Sequence, residues 1–191
     1  MAKILMINGS LRQGSFNQAT IDYVMELLER KGYEARQLDY STLPFFNEDV
    51  EFPTPKIVEG VRMEVEWADA VWIVTPKYNG AIPGHLKVLL DWLSRPVNKG
   101  DQGAPSIIQN KPVAISSTAG PHGAQEVLDS LTALLKRMKM TVLETPQLGL
   151  IIPKEAWETG VMILDEDQKT GLAEEVTVFL ETIDQIGKDK K

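Results

Sequence analysis

Short apolar runs alternate along the chain with longer segments whose apolar residues have helical spacing. Several of these runs lack polar alternation, which is typical of strands covered by helices on both sheet faces. The runs predict strands at residues 4–7, 70–74, 113–115 and 142–152, with a weaker strand at 33–40.

Amphipathic helices are predicted between these strands. Ile21, Val24, Met25 and Leu28 lie at positions i, i+3, i+4 and i+7, and similar spacing recurs within residues 86–93, 127–138 and 172–186. A further helix is expected at 55–67. The alternation predicts an α/β fold with a doubly wound parallel sheet. Ligands bind such sheets beyond the carboxyl ends of the strands, so the loops there are the first to consider.

Composition narrows the possible functions. The 191 residues have average apolar and charged content, which predicts a single domain over residues 1–191. A net charge of −7 disfavours nucleic acid as a partner. The absence of Cys excludes thiolate chemistry and Cys-ligated metals, and two His leave little room for another metal site. With no membrane span and no signal peptide predicted, we expect a cytoplasmic protein without a membrane partner.

The loop after the first predicted strand combines groups that bind phosphate. Residues 8–17 read Asn-Gly-Ser-Leu-Arg-Gln-Gly-Ser-Phe-Asn, and a helix is expected to begin near Asn17. Amides at the helix start, with Ser10, Ser15, Asn17 and Arg12, would form a phosphate cradle. The glycine spacing is that of a Walker loop, but its Lys and Ser or Thr are missing, which disfavours an NTPase. An ordinary capped turn is the alternative.

Two further loops follow strands. Residues 75–87 read Thr-Pro-Lys-Tyr-Asn-Gly-Ala-Ile-Pro-Gly-His-Leu-Lys, in which Asn-Gly predicts a turn and Pro83 suits the first turn of a helix. Tyr78 could lie against a flat ring whose polar edge meets the amides of Asn79 and Gly80, or it could simply pack over the turn. The small residues of 116–124 would let a ligand approach the backbone closely.

Together these motifs resemble the NADPH-dependent FMN reductase family of flavodoxin-like proteins, which includes azobenzene, quinone and chromate reductases. The resemblance covers residues 4–145 and is completed by Asp-Trp-Leu-Ser-Arg-Pro at 91–96. It implies a five-stranded sheet in the order 2-1-3-4-5, noncovalently bound FMN, NADPH or NADH as electron donor, and homodimers or homotetramers. Trp92, next to the corner at residues 94–96, is the best candidate for a subunit interface.

The resemblance also implies a set of FMN-binding residues. The phosphate and ribityl end would be held by Ser10, Arg12, Ser15, Phe16 and Asn17, and the isoalloxazine would be bordered by Pro76, Lys77, Tyr78, Asn79 and Gly80, with Ser117 and Gly120 near its other side. Two positions depart from the pattern. Lys77 stands where relatives often have Glu, and residues 123–126 read Gly-Ala-Gln-Glu where relatives often have Gly-Gly-x-Arg. Both departures bear on the choice of donor and acceptor.

We therefore expect an enzyme that passes two electrons from NAD(P)H through FMN to a small acceptor. Quinones, azo compounds, free flavin and metal oxyanions are candidate acceptors. A ping-pong reaction without an obligatory catalytic side chain is predicted, since there is no Cys and neither His has a clear partner in the motifs. A flavodoxin-like electron carrier with a protein partner is the alternative. A hydrolase pairing His122 with Ser10 or Ser117 ranks lower, because the chain has no Gly-x-Ser-x-Gly elbow.

Overall fold

The computed structural model describes residues 2–103 and 105–189, which form six strands, six α-helices and one short 3-10 helix. The strands are β1 (Lys3–Asn8), β2 (Glu34–Gln37), β3 (Ala70–Pro76), β4 (Pro112–Ala119), β5 (Thr141–Val142) and β6 (Gly149–Ile151). The helices are α1 (Phe16–Arg30), α2 (Lys56–Trp67), α3 (Gly84–Ser94), α4 (Gln125–Arg137), α5 (Lys154–Thr159) and α6 (Glu166–Asp189), and the 3-10 helix is Glu48–Val50.

The strands form one parallel sheet in the order β2-β1-β3-β4-β5, which confirms the predicted flavodoxin-like topology. β6 pairs with β4 off this path. The strand order reverses at β1: β2 lies on one side of it, and β3 and the later strands lie on the other. The neighbouring carboxyl ends of β1 and β3 are Asn8 and Pro76. A crevice at such a reversal is where doubly wound sheets bind ligands.

Apolar side chains project from both faces of the sheet, as predicted from the apolar runs that lack polar alternation. On β1, Leu5 and Ile7 join a cluster that includes residues of α2, α3 and α4, while Ile4 and Met6 join one that includes residues of α1, α5 and α6. β3 divides its residues in the same way. Because helices cover both faces, only the edges of the sheet are left to carry polar loops.

The expected single strand at 142–152 is wrong in detail. β5 ends at Val142 and β6 begins at Gly149, with Pro146 in the segment between them. Proline has no N–H to donate to a strand ladder, and residues 144–147 read Glu-Thr-Pro-Gln, a polar stretch that the prediction of one strand passed over. β6 then aligns with the end of β4, pairing Ser117 with Gly149. The short helix α5 was not expected either.

The expectation that Trp92 faces a second subunit is also wrong. Its side chain is fully buried within the chain, where the indole N–H donates to the carbonyl of Pro44 at 2.8 Å and the ring meets Phe46 edge-on. Arg95, in the adjoining corner, donates to both carboxylate oxygens of Glu51 at 2.8 and 2.9 Å. Trp92 is therefore not available to a partner, whereas the Arg95 side chain, although paired, remains 34% exposed.

Within the described residues, no helix combines the length and the apolar character needed to cross a bilayer.

Candidate functional site

The loop between β1 and α1 is organised by the side chain of Asn8. Its amide nitrogen donates to Ser15 Oγ at 3.1 Å and to Gln18 Oε1 at 3.0 Å. Its oxygen accepts the main-chain N–H of Ser10 at 3.0 Å. The main-chain N–H of Arg12 donates a hydrogen bond to Ser10 Oγ at 3.3 Å. The loop is thus held by its own polar groups.

The start of α1 offers main-chain donors to a ligand. The first N–H groups of a helix have no acceptor inside it, and Ser15 at the N-cap makes no side-chain hydrogen bond to the first turn. Gly14 has a φ of +64°, and no atom lies within 4 Å of the position that a Cβ would take. An anion could therefore approach these amides and the positive end of the helix dipole.

Arg12 lies beside this helix start in a short stack of side chains. Its guanidinium carbon is 4.8 Å from the centroid of the Phe16 ring, and Phe16 is the first residue of α1. Trp157 of α5 packs against Phe16 edge-on, with ring centroids 5.1 Å apart. No local pattern in the sequence points to Trp157, because its position depends on how α5 packs against α1.

Two predicted site residues have side chains that the fold itself uses. The Asn17 amide is buried, where it donates to Val74 O at 3.1 Å and accepts the hydroxyl of Thr118. The Ser117 hydroxyl is also buried and donates to Thr75 O at 2.7 Å. Because both side chains hold strands together, the expectation that the Asn17 amide completes the cradle needs correction: its main-chain N–H is what it can offer.

A pair of rings fixes the end of β1 from the other side. His85 Nε2 lies 2.7 Å from the carbonyl oxygen of Gly9, so this nitrogen carries the proton, and Tyr40 donates its hydroxyl to Asn8 O at 2.6 Å. The two rings stack with centroids 6.3 Å apart, and burial raises the pKa of Tyr40. His85 thus supports the first loop, a role that sequence spacing could not reveal.

Close backbone approach explains one glycine of this loop. A Cβ on Gly9 would stand 2.7 Å from Thr75 Oγ1 and 2.8 Å from Thr75 Cα. Gly9 also donates its N–H to Val74 O at 2.7 Å. The ends of β1 and β3 thus meet directly, which brings the first and second loops together.

The second loop is a tight turn beside the first. Tyr78 and Ala81 exchange main-chain hydrogen bonds of 3.2 and 3.0 Å, and Asn79 and Gly80 between them have φ angles of +53° and +77°. Positive φ at both central positions is typical of a two-residue hairpin turn. Tyr78 is half-exposed, and its hydroxyl lies 3.5 Å from Ser10 Oγ. Pro83 precedes α3 as its N-cap instead of lying in its first turn.

Lys77 is neither directed to solvent nor unpaired. Its ammonium lies 3.0 Å from Glu126 Oε2 in the first turn of α4. The Lys77 side chain is 13% exposed, whereas that of Glu126 is 69% exposed. The two departures from the family pattern therefore meet in one ion pair between the second and third loops.

A cavity of about 490 Å³ lies between these loops. It is lined by Lys77, Asn79, Gly80, Gly120, His122 and Glu126. Gly120 has no atom within 4 Å of a hypothetical Cβ, so its backbone is open to a ligand. A larger cavity of about 640 Å³ is lined by residues of α2 and of the segment after α3, and it shares no residue with these loops.

The geometry does not assemble a hydrolase. His122 is exposed and has no hydrogen-bond partner in the described part of the chain, and Ser117 is committed to Thr75. Ser10 approaches Tyr78 instead of a histidine. Over residues 2–103 and 105–189, no group of three or more His, Cys, Asp or Glu could hold a metal ion. The site therefore combines an anion cradle, a half-exposed aromatic ring and a cavity lined by small residues.

A doubly wound sheet with such loops at its carboxyl edge is the architecture of flavodoxin-like proteins. The pattern of the family described as NADPH-dependent FMN reductase matches residues 2–152, so the chain belongs to this family. It is an oxidoreductase that depends on FMN and NAD(P)H.

Individual relatives agree with this assignment. The chain is 32% identical over 165 residues to an NAD(P)H-dependent FMN reductase of Pseudomonas aeruginosa, covering 86% of this chain and 85% of the relative. It is 31% identical to a quinone reductase of Escherichia coli, with 96% of each chain covered. Among solved structures, the flavoenzyme NAD(P)H:(acceptor) oxidoreductase FerB of Paracoccus denitrificans has a TM-score of 0.82 and 27% identity, covering 97% of this chain and 98% of that one.

Proposed function

We propose that this protein passes two electrons from NAD(P)H to small acceptors, with quinones as the leading class and azo compounds, free flavin and metal oxyanions as further candidates. The observation that carries the proposal is the uncapped start of α1 beside Arg12, next to a cavity between the second and third loops. Bound FMN would supply the two-electron chemistry, while the protein orients the reactants and excludes water.

The residues present fit FMN. The phosphate would meet the main-chain N–H groups of Phe16 and Asn17, the hydroxyls of Ser10 and Ser15, and the Arg12 guanidinium. The ring would be bordered by the second loop, Pro76 to Gly80, with Gly120 on its other side. Ser117, expected there as well, is fully buried and its N–H donates to Leu148 O at 2.8 Å, so it is not open to a ligand. Tyr78 is half-exposed and could cover part of the ring.

Binding of FMN at the first loop is tested by Arg12→Ala. We expect FMN binding to weaken by ~1.5 to 3 kcal/mol, the typical contribution of a hydrogen bond to a charged group. Arg36→Ala is a matched control, because Arg36 also stacks on an aromatic ring, 4.0 Å from the centroid of Trp67. A dissociation constant that changes equally in both variants would remove Arg12 from the cradle.

We further propose a ping-pong reaction in which no side chain is an obligatory acid or base. His122 is exposed and lines the cavity without a partner among the described residues that would orient it. Donor and acceptor would use the same cavity in turn, so the oxidised nicotinamide leaves before the acceptor enters. Initial-rate lines at several acceptor concentrations should be parallel, and His122→Ala should keep most of its turnover. Intersecting lines, or the ~10² to 10⁴-fold loss typical of an acid-base group, would contradict this mechanism.

The electron-carrier alternative is separated by one anaerobic experiment. A reductase loaded with FMN should lose its yellow colour rapidly when NADPH is added, whereas a carrier that needs a protein partner should bleach slowly or not at all.

We also propose that the protein is a homodimer or homotetramer, for which light scattering at micromolar concentration is the direct measurement. A monomer would refute that part of the proposal.

A further inference from the structure

The Lys77–Glu126 ion pair joins two separate sides of the cavity. Lys77 follows β3 by one residue, and Glu126 belongs to the first turn of α4, yet their charged atoms are 3.0 Å apart. The Glu126 carboxylate also reaches the turn beside Lys77, since a Cβ on Gly80 would stand 3.3 Å from its Oε2. The carboxylate therefore lies across the rim of the cavity between the second and third loops.

The two charges differ in how far they reach solvent. The carboxylate is 69% exposed, whereas the lysine side chain is 13% exposed. A molecule that approaches from solvent meets the negative charge first, and the positive charge is already paired. The start of α4 favours an acidic residue at this position, and the net charge of −7 adds to the repulsion of anions.

We propose that this ion pair determines acceptor specificity: Glu126 shields Lys77 and makes the cavity select neutral acceptors over anionic ones. The inference rests on the proposed function, because it takes this cavity to be where acceptors bind. The inference predicts that the preferred acceptors are uncharged quinones. A free lysine at the same place would instead attract sulfonate, carboxylate or oxyanion groups.

The test compares a neutral quinone with its anionic counterpart, 1,4-naphthoquinone and 1,4-naphthoquinone-2-sulfonate. In Glu126→Gln, the ratio of kcat/KM for the sulfonate to kcat/KM for the neutral quinone should rise about tenfold, because a repelling charge disappears and a nearby attracting one is released. The increase should shrink at high salt, which screens interactions between charges near the surface.

Asp129→Asn is the matched control. Asp129 is an exposed carboxylate three residues further along α4, and it accepts a hydrogen bond from Gln125 at 2.7 Å instead of pairing with Lys77. This variant removes the same charge from the same helix, so its effect on the ratio measures the change in net charge alone. We expect that effect to be less than twofold.

The double variant Lys77→Met with Glu126→Gln identifies the lysine as the cause. In this double variant, the ratio of kcat/KM for the sulfonate to kcat/KM for the neutral quinone should return most of the way toward that of the parent protein, since neither charge remains at the rim. An equilibrium measurement should agree: naphthalene-2-sulfonate, which cannot be reduced, should bind the FMN-loaded Glu126→Gln protein about tenfold more tightly, as followed by the flavin spectrum.

The outcomes separate this inference from the function on which it rests. Equal ratios in Glu126→Gln and Asp129→Asn, in a parent protein that reduces both quinones, would overturn the inference and leave the reductase function in place. A parent protein that binds no FMN and reduces neither quinone would overturn both. A double variant that keeps the full tenfold increase would also contradict the role of Lys77.

Discussion

At the scale of single residues, Glu175 of α6 is a titratable group that the proposed reaction does not use. Its side chain is fully buried; Oε2 accepts the Ser116 hydroxyl at 3.0 Å, and Ser116 in turn accepts the indole N–H of Trp72 at 2.9 Å. The other oxygen, Oε1, has no hydrogen-bond partner among the described residues. Burial raises the pKa of Glu175 to about 8, so the folded protein holds this carboxyl protonated at neutral pH.

Stability should therefore fall as pH rises from about 4.5 to about 8. Over this range the Glu175 carboxyl loses its proton in the unfolded chain, whose pKa is near the ordinary 4.5, but keeps it in the folded protein until its pKa of about 8. The unfolded state then binds fewer protons, and each unit of pKa difference lowers the free energy of unfolding by roughly 1.4 kcal/mol.

Glu175→Gln should remove this part of the pH dependence, because the amide is neutral throughout and can still accept from Ser116. Urea unfolding at pH 5 and pH 8 should show a smaller loss of stability in this variant than in the parent. Glu174→Gln is the control, since its side chain is exposed on the same helix. If the two variants retained the same pH dependence as the parent, Glu175 would be ionised in the folded protein.

At the scale of elements, α5 supports the start of α1. Trp157 is 58% exposed but keeps one ring edge against Phe16, on which Arg12 stacks. This helix lies beyond residues 2–152, the part of the chain that matches the family pattern. An aromatic pair contributes about 0.5 to 1.5 kcal/mol and a cation–π contact at an exposed site about 0.5 to 1 kcal/mol, so the stack can restrict where the guanidinium lies.

Trp157→Ala should weaken FMN binding by roughly two- to tenfold, the range expected from loss of one aromatic contact. Trp157→Phe should retain most of the affinity, because a ring still packs against Phe16. Trp67→Ala is a suitable control, since Trp67 carries its own stacked arginine, Arg36. A change in subunit assembly without any change in the FMN dissociation constant would assign Trp157 to an interface instead.

At the scale of the whole molecule, one sheet is shared by both apolar clusters. Neighbouring residues of β1 and β3 enter opposite clusters, so neither cluster can lose its packing while the other keeps a complete sheet. This arrangement supports the prediction of a single domain. Domains of this size commonly unfold in one cooperative step.

Urea unfolding should accordingly show one transition, with the same midpoint by tryptophan fluorescence and by circular dichroism at a given protein concentration. Excess FMN should move that midpoint upward, because a ligand that binds the folded state stabilises it by mass action. Two transitions, or midpoints that differ between the two methods, would indicate separately folding parts.

The sequence predicted the elements whose environment is uniform. β1, β3 and β4 lie at the centre of the sheet. Their apolar runs predicted them as strands, because helices cover both faces of the sheet and each of these strands is almost entirely buried. The split between β5 and β6 was missed although residues 144–147, Glu-Thr-Pro-Gln, interrupt the apolar residues on either side and Pro146 is a local signal of the break. The first and second loops were also identified from sequence, because glycine spacing, hydroxyls and a helix start are local features.

The tertiary structure alone decided which polar groups of those loops are used by the fold itself. Asn17 and Ser117 hydrogen-bond to the carbonyls of Val74 and Thr75, both on a strand distant in sequence, and a motif cannot show that partner. The sequence determined that Lys77 and Glu126 both depart from the family pattern, but only the fold showed that they meet 3.0 Å apart. Periodicity follows from contacts within one element, whereas pairing across loops depends on sheet order and the direction of each helix, which a linear pattern does not contain.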